Sequence, residues 1–219
     1  MMKTRRNPGL LAAMFLLCTV ARGQTVQGTS QEGAAGTAAD SWSFSATVDG
    51  YVVPHQEFYV SPIFTTDRSW LHLETRYNYE DQQTGSTWVG YNFSFGDKLK
   101  LDVTPMIGGV FGNTTGVAPG YEFSLAYKRI TLSSTGEYVF DTKNHNGSFF
   151  YSWPELTYSP VEWIRVGLVA QRTKAYHTSL DVQRGFLVGI SRKKFNFTTY
   201  IFNPGWAKPT LVFEAGFDF

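Results

Sequence analysis

Three features are missing from most of this 219-residue chain, and each absence excludes a class of protein. The single cysteine, Cys18, lies near the start, so the rest of the chain cannot form disulfide bonds. No window of 18 apolar residues follows residue 23, which excludes a transmembrane helix. An excess of basic charge is also missing, because 19 Lys and Arg are balanced by 18 Asp and Glu. This balance argues against a nucleic-acid-binding protein.

The local motifs of common cofactor sites are absent as well. The four histidines, His55, His72, His145 and His177, lie in separate segments, and none has a second ligand at the spacing of a transition-metal site. No glycine-rich phosphate-binding loop is present. The sequence therefore predicts neither a metal site nor a cofactor.

Residues 1–23 have the composition of a secretory signal peptide, with basic residues followed by a short apolar run and small residues before a cleavage site. Cleavage after Gly23 removes four bases and no acid. It leaves 15 Lys and Arg against 18 Asp and Glu, a net charge of −3. Residues 24–40 are rich in Gly, Ala, Ser, Thr and Gln, and they are predicted to form a flexible tail. Residues 41–219 remain for one domain.

The domain repeats one pattern, in which apolar and polar residues alternate over about ten positions. Alternation with period two predicts a β-strand with one apolar and one polar face. In residues 98–111, for example, Leu99, Leu101 and Val103 alternate with Lys100 and Asp102. Twelve such strands are predicted, over residues 42–52, 58–66, 70–80, 86–95, 98–111, 120–128, 130–140, 148–158, 163–172, 179–191, 195–202 and 209–219.

The connections between these segments alternate in length. Short turns are predicted at 96–98, 128–129, 159–160 and 192–194, and longer Gly- and Asn-containing loops lie between them. This alternation is typical of a barrel whose two ends differ. Twelve strands give the even number that such a topology needs. Ten is the alternative, because Pro62 weakens the strand at 58–66.

The final segment, Leu211-Val212-Phe213-Glu214-Ala215-Gly216-Phe217-Asp218-Phe219, alternates strictly and ends on an aromatic residue of its apolar face. In this respect the chain resembles bacterial outer-membrane β-barrel proteins. The resemblance implies a closed antiparallel transmembrane β-barrel, location in the outer membrane, contact with its lipid, and recognition of Phe219 by the barrel assembly machinery. It names no subfamily and leaves the oligomeric state open. A soluble β-sandwich or lipocalin-like barrel is the alternative.

Aromatic residues near the predicted strand ends are typical of the rings that line a membrane interface. The residues assigned to this girdle are Trp42, Tyr51, Trp70, Tyr79, Tyr158, Trp163 and Trp206.

Charged and amide side chains on the inward faces are expected to line the lumen. The candidates are His72, Glu74, Arg76, Lys100, Asp102, Glu122, Glu137, Arg165, Gln171, Asp181 and Glu214. Buried charges must be paired or hydrated. In one interpretation, Arg76 and Arg165 pair with Glu74, Glu122 or Glu137 and only hold the barrel together. In the other, the charges line a passive channel for small hydrophilic solutes or ions.

An enzymatic alternative depends on His177, Ser179 and Asp181 at a predicted strand start. A serine nucleophile needs a base within hydrogen-bond reach. Residues two apart on a strand lie about 6–7 Å apart, so a lipid-acting hydrolase at the rim is the weaker hypothesis. No catalytic residue is assigned.

Overall fold

The computed structural model describes residues 41–175, 180–205 and 209–219. The predicted signal peptide and tail lie outside these residues, as do His177, Ser179 and Trp206. The described chain is almost entirely strand, and its one helix is a single turn at His145–Gly147. Within the same residues, no helix has the length and apolarity needed to cross a membrane.

Thirteen strands follow one another along the described ranges. They are β1 (Ser43–Val52), β2 (Tyr59–Arg68), β3 (Leu71–Tyr77), β4 (Thr84–Tyr91), β5 (Phe93–Phe95), β6 (Leu99–Gly112), β7 (Gly116–Tyr127), β8 (Ile130–Asp141), β9 (Phe149–Val161), β10 (Ile164–Ala175), β11 (Asp181–Arg192), β12 (Phe195–Phe202) and β13 (Thr210–Asp218).

The sheet closes on itself. Neighbouring strands of the sheet are antiparallel, and β13 pairs with β1 through pairs such as Val48 with Ala215. β4 and β5 both pair with β6 in one continuous register, so they form a single barrel strand interrupted at Asn92. The prediction of a closed antiparallel barrel of twelve strands is confirmed, and the ten-strand alternative is wrong.

The second strand forms despite Pro62 because this proline lies where the strand has a neighbour on one side only. Pro62 pairs with Val48 on one side, while pairing between β2 and β3 begins only at Ile63. Similar interruptions occur at two other prolines. Pro119 has no partner on β8, and Pro154 has none on β10. Proline lacks an N–H group and is tolerated where a strand has no neighbour to bond.

Several predicted strand boundaries differ from the structure by three or four residues, and two of these differences have a clear local cause. The turn expected at 159–160 lies instead at 162–163, because β9 runs on to Val161 and absorbs the extra residues in a register shift against β10. The strand expected to reach residue 80 ends at Tyr77. Asn78 there has a φ of 57°, in the left-handed region, and its side chain accepts a hydrogen bond from the Gln83 N–H at 2.8 Å. Asparagine tolerates this conformation, so the chain turns early.

The two ends of the barrel differ. At the turn end, connections such as 69–70, 128–129 and 193–194 hold only two residues, and both ends of the described chain lie there. At the loop end, the connections within the described residues are mostly longer, as at 53–58 and 142–148.

The outer surface of the barrel is apolar along its height. Large hydrophobic side chains at every second position point away from the lumen and are exposed, among them Ile107, Leu132, Leu156, Leu168, Phe186 and Val188. Inward positions toward the turn end hold mainly polar side chains, whereas those toward the loop end include large apolar ones such as Phe202 and Val139. A monomeric soluble barrel does not expose a belt of this size.

Candidate functional site in the barrel lumen

The turn half of the lumen contains a cavity of about 470 Å³. Most of its charged wall is acidic, because six carboxylates and one guanidinium, that of Arg165, line it among the residues that the structure describes. The carboxylates belong to Asp49, Glu74, Asp102, Glu122, Glu155 and Glu214. Hydroxyl groups such as those of Thr65 and Ser133 complete a hydrophilic surface. We call this space the acidic vestibule.

The loop half of the lumen is filled with side chains. One cluster joins Tyr51, Val169, Leu187, Tyr200, Phe202 and Val212, and Trp153 packs against it. The Trp153 ring meets the rings of Tyr200 and Phe202 edge-on, with centroids 5.2 and 5.0 Å apart. A second cluster joins Trp88, Met106, Val110, Ala118 and Val139. Phe202 has no exposed surface, so neighbouring side chains enclose it completely.

Arg76 crosses the lumen at the boundary between the two halves. From β3 its guanidinium donates to Glu74 and, at 2.8 Å, to Glu137 Oε2 on β8. Glu80 Oε1 lies 3.8 Å from Nη1. The guanidinium also lies 4.4 Å from the ring centroid of Tyr79 and 4.6 Å from that of Trp88. One buried cation thus holds three carboxylates and two aromatic faces.

Arg165 lies on the opposite wall, and its partners belong to nearby strands. Its Nη2 donates to Thr198 Oγ1 at 2.7 Å and to Glu214 Oε1 at 3.3 Å, while Nη1 lies 3.6 Å from Glu155 Oε2. Tyr200 donates to the other Glu214 oxygen at 2.9 Å. The expected pairing of Arg76 with Glu74 and Glu137 is present, whereas Arg165 pairs with Glu155 and Glu214 instead.

His72 anchors a polar network beside the vestibule. Its Nδ1 lies 2.9 Å from Asp67 Oδ1, which also accepts a hydrogen bond from Asn92 Nδ2 at 2.7 Å. Asn92 Oδ1 in turn accepts from Thr104 Oγ1 at 2.6 Å. Asn92 therefore connects three barrel strands at the point where β4 and β5 separate.

The remaining lumen candidates are less central. Lys100 is largely exposed at the turn end and lies 3.2 Å from Asp102. Gln171 lies inside and donates to the Tyr151 hydroxyl at 3.4 Å. Asp181 is exposed at the first residue of β11, at the loop-end rim. Its assignment as a lumen-lining residue stays a prediction.

The aromatic assignments divide into two groups. Trp42, Trp70, Tyr158 and Trp163 are exposed near the turn end. Tyr79 and Tyr51 point into the lumen, and their assignment to an outer girdle is wrong. After Asn78 turns the chain, the Tyr79 ring packs edge-on against Tyr151 with centroids 5.6 Å apart. Burial raises the pKa of the Tyr79 phenol well above its ordinary value, so it stays neutral.

Phe219 seals the seam where the barrel closes. Its N–H donates to the Phe44 carbonyl at 3.0 Å, and the two rings stack with centroids 5.8 Å apart. Its recognition by the assembly machinery stays a prediction.

Sequence reasoning did not assign Glu155 or the inward aromatic residues to the lumen. The signal for Glu155 was present, since Leu156 and Tyr158 are exposed and their neighbours Glu155 and Thr157 are buried. The Trp153-Pro154 pair hid this alternation. The inward Tyr200 and Phe202 were missed because an aromatic residue in a strand gives no indication of the face it occupies.

Comparison with known proteins gives similarity at the level of structure only. No family model matches the chain, and no curated protein matches it in sequence. A solved structure of the KdgM porin aligns with a TM-score of 0.60 at 10% identity, covering 80% of this chain and 99% of that one. A KdgM structure in complex with disordered oligogalacturonate aligns equally well at 9% identity. The outer membrane protein Omp33 of Acinetobacter baumannii aligns with a TM-score of 0.50 at 11% identity, covering 81% of this chain and 98% of that one.

These alignments extend over nearly the full length of the porin chains and agree with the strand order, closure and outward apolar surface found above. The protein has the closed twelve-stranded antiparallel barrel fold of bacterial outer-membrane porins.

Proposed function

We propose that this protein is an outer-membrane channel for small hydrophilic solutes and that it favours cations over anions. The observation that carries the proposal is the acidic vestibule, a hydrophilic cavity inside a barrel whose outer surface is apolar. A low-dielectric wall focuses the field of its charges. Six carboxylates facing one guanidinium therefore raise the local concentration of cations and lower that of anions.

The filled loop half makes this channel a gated one. Side chains around Phe202 and Arg76 close the bore, so conduction requires that the aromatic cluster or the adjoining loops move. With both described chain ends at the turn end, the usual topology places the vestibule toward the periplasm. Solutes would then enter the vestibule freely from that side and cross the filled half only when it opens.

The ligand of the porin neighbour is a poor model for the solute here. Oligogalacturonate is a polymer of carboxylated sugars, and it is found with that porin. An acid-lined vestibule repels such a polyanion. We therefore propose that the shared fold carries a different selectivity in this protein.

Charge neutralisation in the vestibule tests the proposed selectivity. We expect the double variant Asp102→Asn, Glu155→Gln to bring the cation-to-anion permeability ratio toward one, because it removes two of the six carboxylates. Reversal potentials of the purified protein in planar bilayers under asymmetric KCl measure the ratio. Asp97→Asn, an exposed turn residue, is the matched control and leaves the ratio unchanged. Equal ratios in the double variant and the parent would exclude selectivity by the vestibule.

Placement of the barrel in a bilayer is tested at Leu168, an exposed mid-strand residue of β10. We expect Leu168→Arg to lower the free energy of unfolding by about 2–4 kcal/mol, the cost of a charge at the bilayer midplane. Val161→Arg, at the turn end of β9, is the control and costs about 0–1 kcal/mol. Urea titration in phospholipid bilayers measures both values. If Leu168→Arg left the free energy of unfolding unchanged, this surface would face water and not lipid.

A closed structural barrel is the second candidate, and the filled loop half favours it. Planar bilayers separate the two functions. Discrete conductance steps support the channel, whereas a fully inserted barrel that stays silent supports the structural one.

A further inference from the structure

His72, Glu74 and Glu122 bring three potential metal ligands to one point of the lumen wall. Each offers a donor atom, and these atoms lie within 4.8 Å of one another. His72 and Glu74 are two residues apart on β3 and share its inward face. Glu122 comes from β7, three barrel strands away, so closure of the sheet assembles the group.

The imidazole of His72 is oriented for a ligand. Asp67 Oδ1 lies 2.9 Å from Nδ1, which fixes the proton on that nitrogen and leaves a lone pair on Nε2. Within the described part of the chain Nε2 has no hydrogen-bond partner, although His72 is only 2% exposed. A buried polar atom without a partner is costly. A carboxylate behind a histidine is also the usual support of a metal-bound imidazole.

The carboxylates retain capacity for a cation. Glu74 accepts from Arg76 through Oε1 and from Thr65 Oγ1 through Oε2 at 3.2 Å, and each carboxylate oxygen can accept more than one partner. The positive charge of Arg76 is shared with Glu137, 2.8 Å away, and Glu80. Acids thus exceed bases around the group, and the local charge favours a divalent ion.

We infer that His72, Glu74 and Glu122 form a binding site for a divalent transition-metal ion of the Zn²⁺ type. One imidazole nitrogen with two carboxylates suits zinc, whereas calcium and magnesium prefer ligand sets made only of oxygen. Glu74 and Glu122 also line the acidic vestibule, so water in the vestibule completes the coordination. Binding at this site does not require that the barrel conduct.

Calorimetric titration of the folded full-length barrel in detergent with ZnCl₂ tests the site. We expect one ion per chain, with tighter binding above the pKa range of histidine, because protonation of His72 competes with the metal. His72→Gln and Glu122→Gln are each expected to weaken binding at least about tenfold, and Asp67→Asn by about 10–100-fold through loss of the supporting carboxylate. Circular dichroism confirms that each variant is folded.

Two controls isolate the site. His55→Gln removes an exposed loop histidine, and Asp97→Asn removes an exposed turn carboxylate; both keep the affinity of the parent. A CaCl₂ titration is expected to show weaker binding than ZnCl₂. The inference is overturned if the parent binds no Zn²⁺, if His72→Gln and Glu122→Gln bind as tightly as the parent, or if Ca²⁺ binds as tightly as Zn²⁺. None of these outcomes depends on conductance, so the site and the channel are tested separately.

Discussion

Replacing Arg76 by methionine is expected to lower the free energy of unfolding by about 3–5 kcal/mol, the cost of removing one partner from a buried ion pair. Glu74, Glu80 and Glu137 share this guanidinium, and the side chains of all three are at most 4% exposed. Methionine preserves much of the volume of the arginine stem but supplies no charge. The loss therefore measures the uncompensated carboxylates and not an empty cavity.

Urea unfolding in detergent or phospholipid measures this loss, with tryptophan fluorescence as the probe. Arg192→Met, at the exposed turn end of β11, is the matched control and is expected to change stability by less than about 0.5 kcal/mol. Adding Glu74→Gln and Glu137→Gln to Arg76→Met restores part of the stability, because it removes the unpaired charges. Equal stability of Arg76→Met and the parent would show that water reaches this part of the lumen.

Phe202→Ala is expected to destabilise the barrel by about 3–5 kcal/mol, the range for removing a fully buried phenylalanine. The Phe202 side chain is wholly enclosed, and its ring meets Trp153 edge-on. No other side chain of the cluster can fill the space without leaving its own contacts. If the filled loop half is the gate, the same variant also raises the conductance or the open probability in planar bilayers.

Phe197→Ala is the matched control, because Phe197 lies on the same strand and faces outward. Lipid chains occupy the volume that this substitution vacates, so no cavity forms and the loss of stability stays small. Comparable losses in both variants would contradict the assignment of inner and outer faces. A stable, well-folded Phe202→Ala would show that the loop half is loosely packed.

The positions of the strands and the faces of their side chains were predictable, because both depend on local properties of the sequence. Alternation around Leu99, Leu101 and Val103 fixes both the strand and its outward face, whatever the neighbouring strand is. Prediction failed where one residue changed the local geometry. Asn78 adopts a left-handed φ and sends Tyr79 inward, and Trp153-Pro154 obscures the alternation that places Glu155 in the lumen.

The contents of the lumen were less predictable, since they depend on contacts between distant residues. Arg76 and Glu137 are 61 positions apart, and nothing in either segment identifies the other. The same applies to His72 and Glu122, which are 50 positions apart, because the sequence near His72 has no second ligand at the spacing of a metal site.

Period-two alternation was enough to predict antiparallel strands with an apolar outer face, because each residue indicates its own side of the strand. The alternating lengths of the connections likewise pointed to two ends of different kinds. The division of the lumen into a filled half and an acidic vestibule became visible only in the folded barrel. The diameter and stagger of the closed barrel set which inward side chains meet across it.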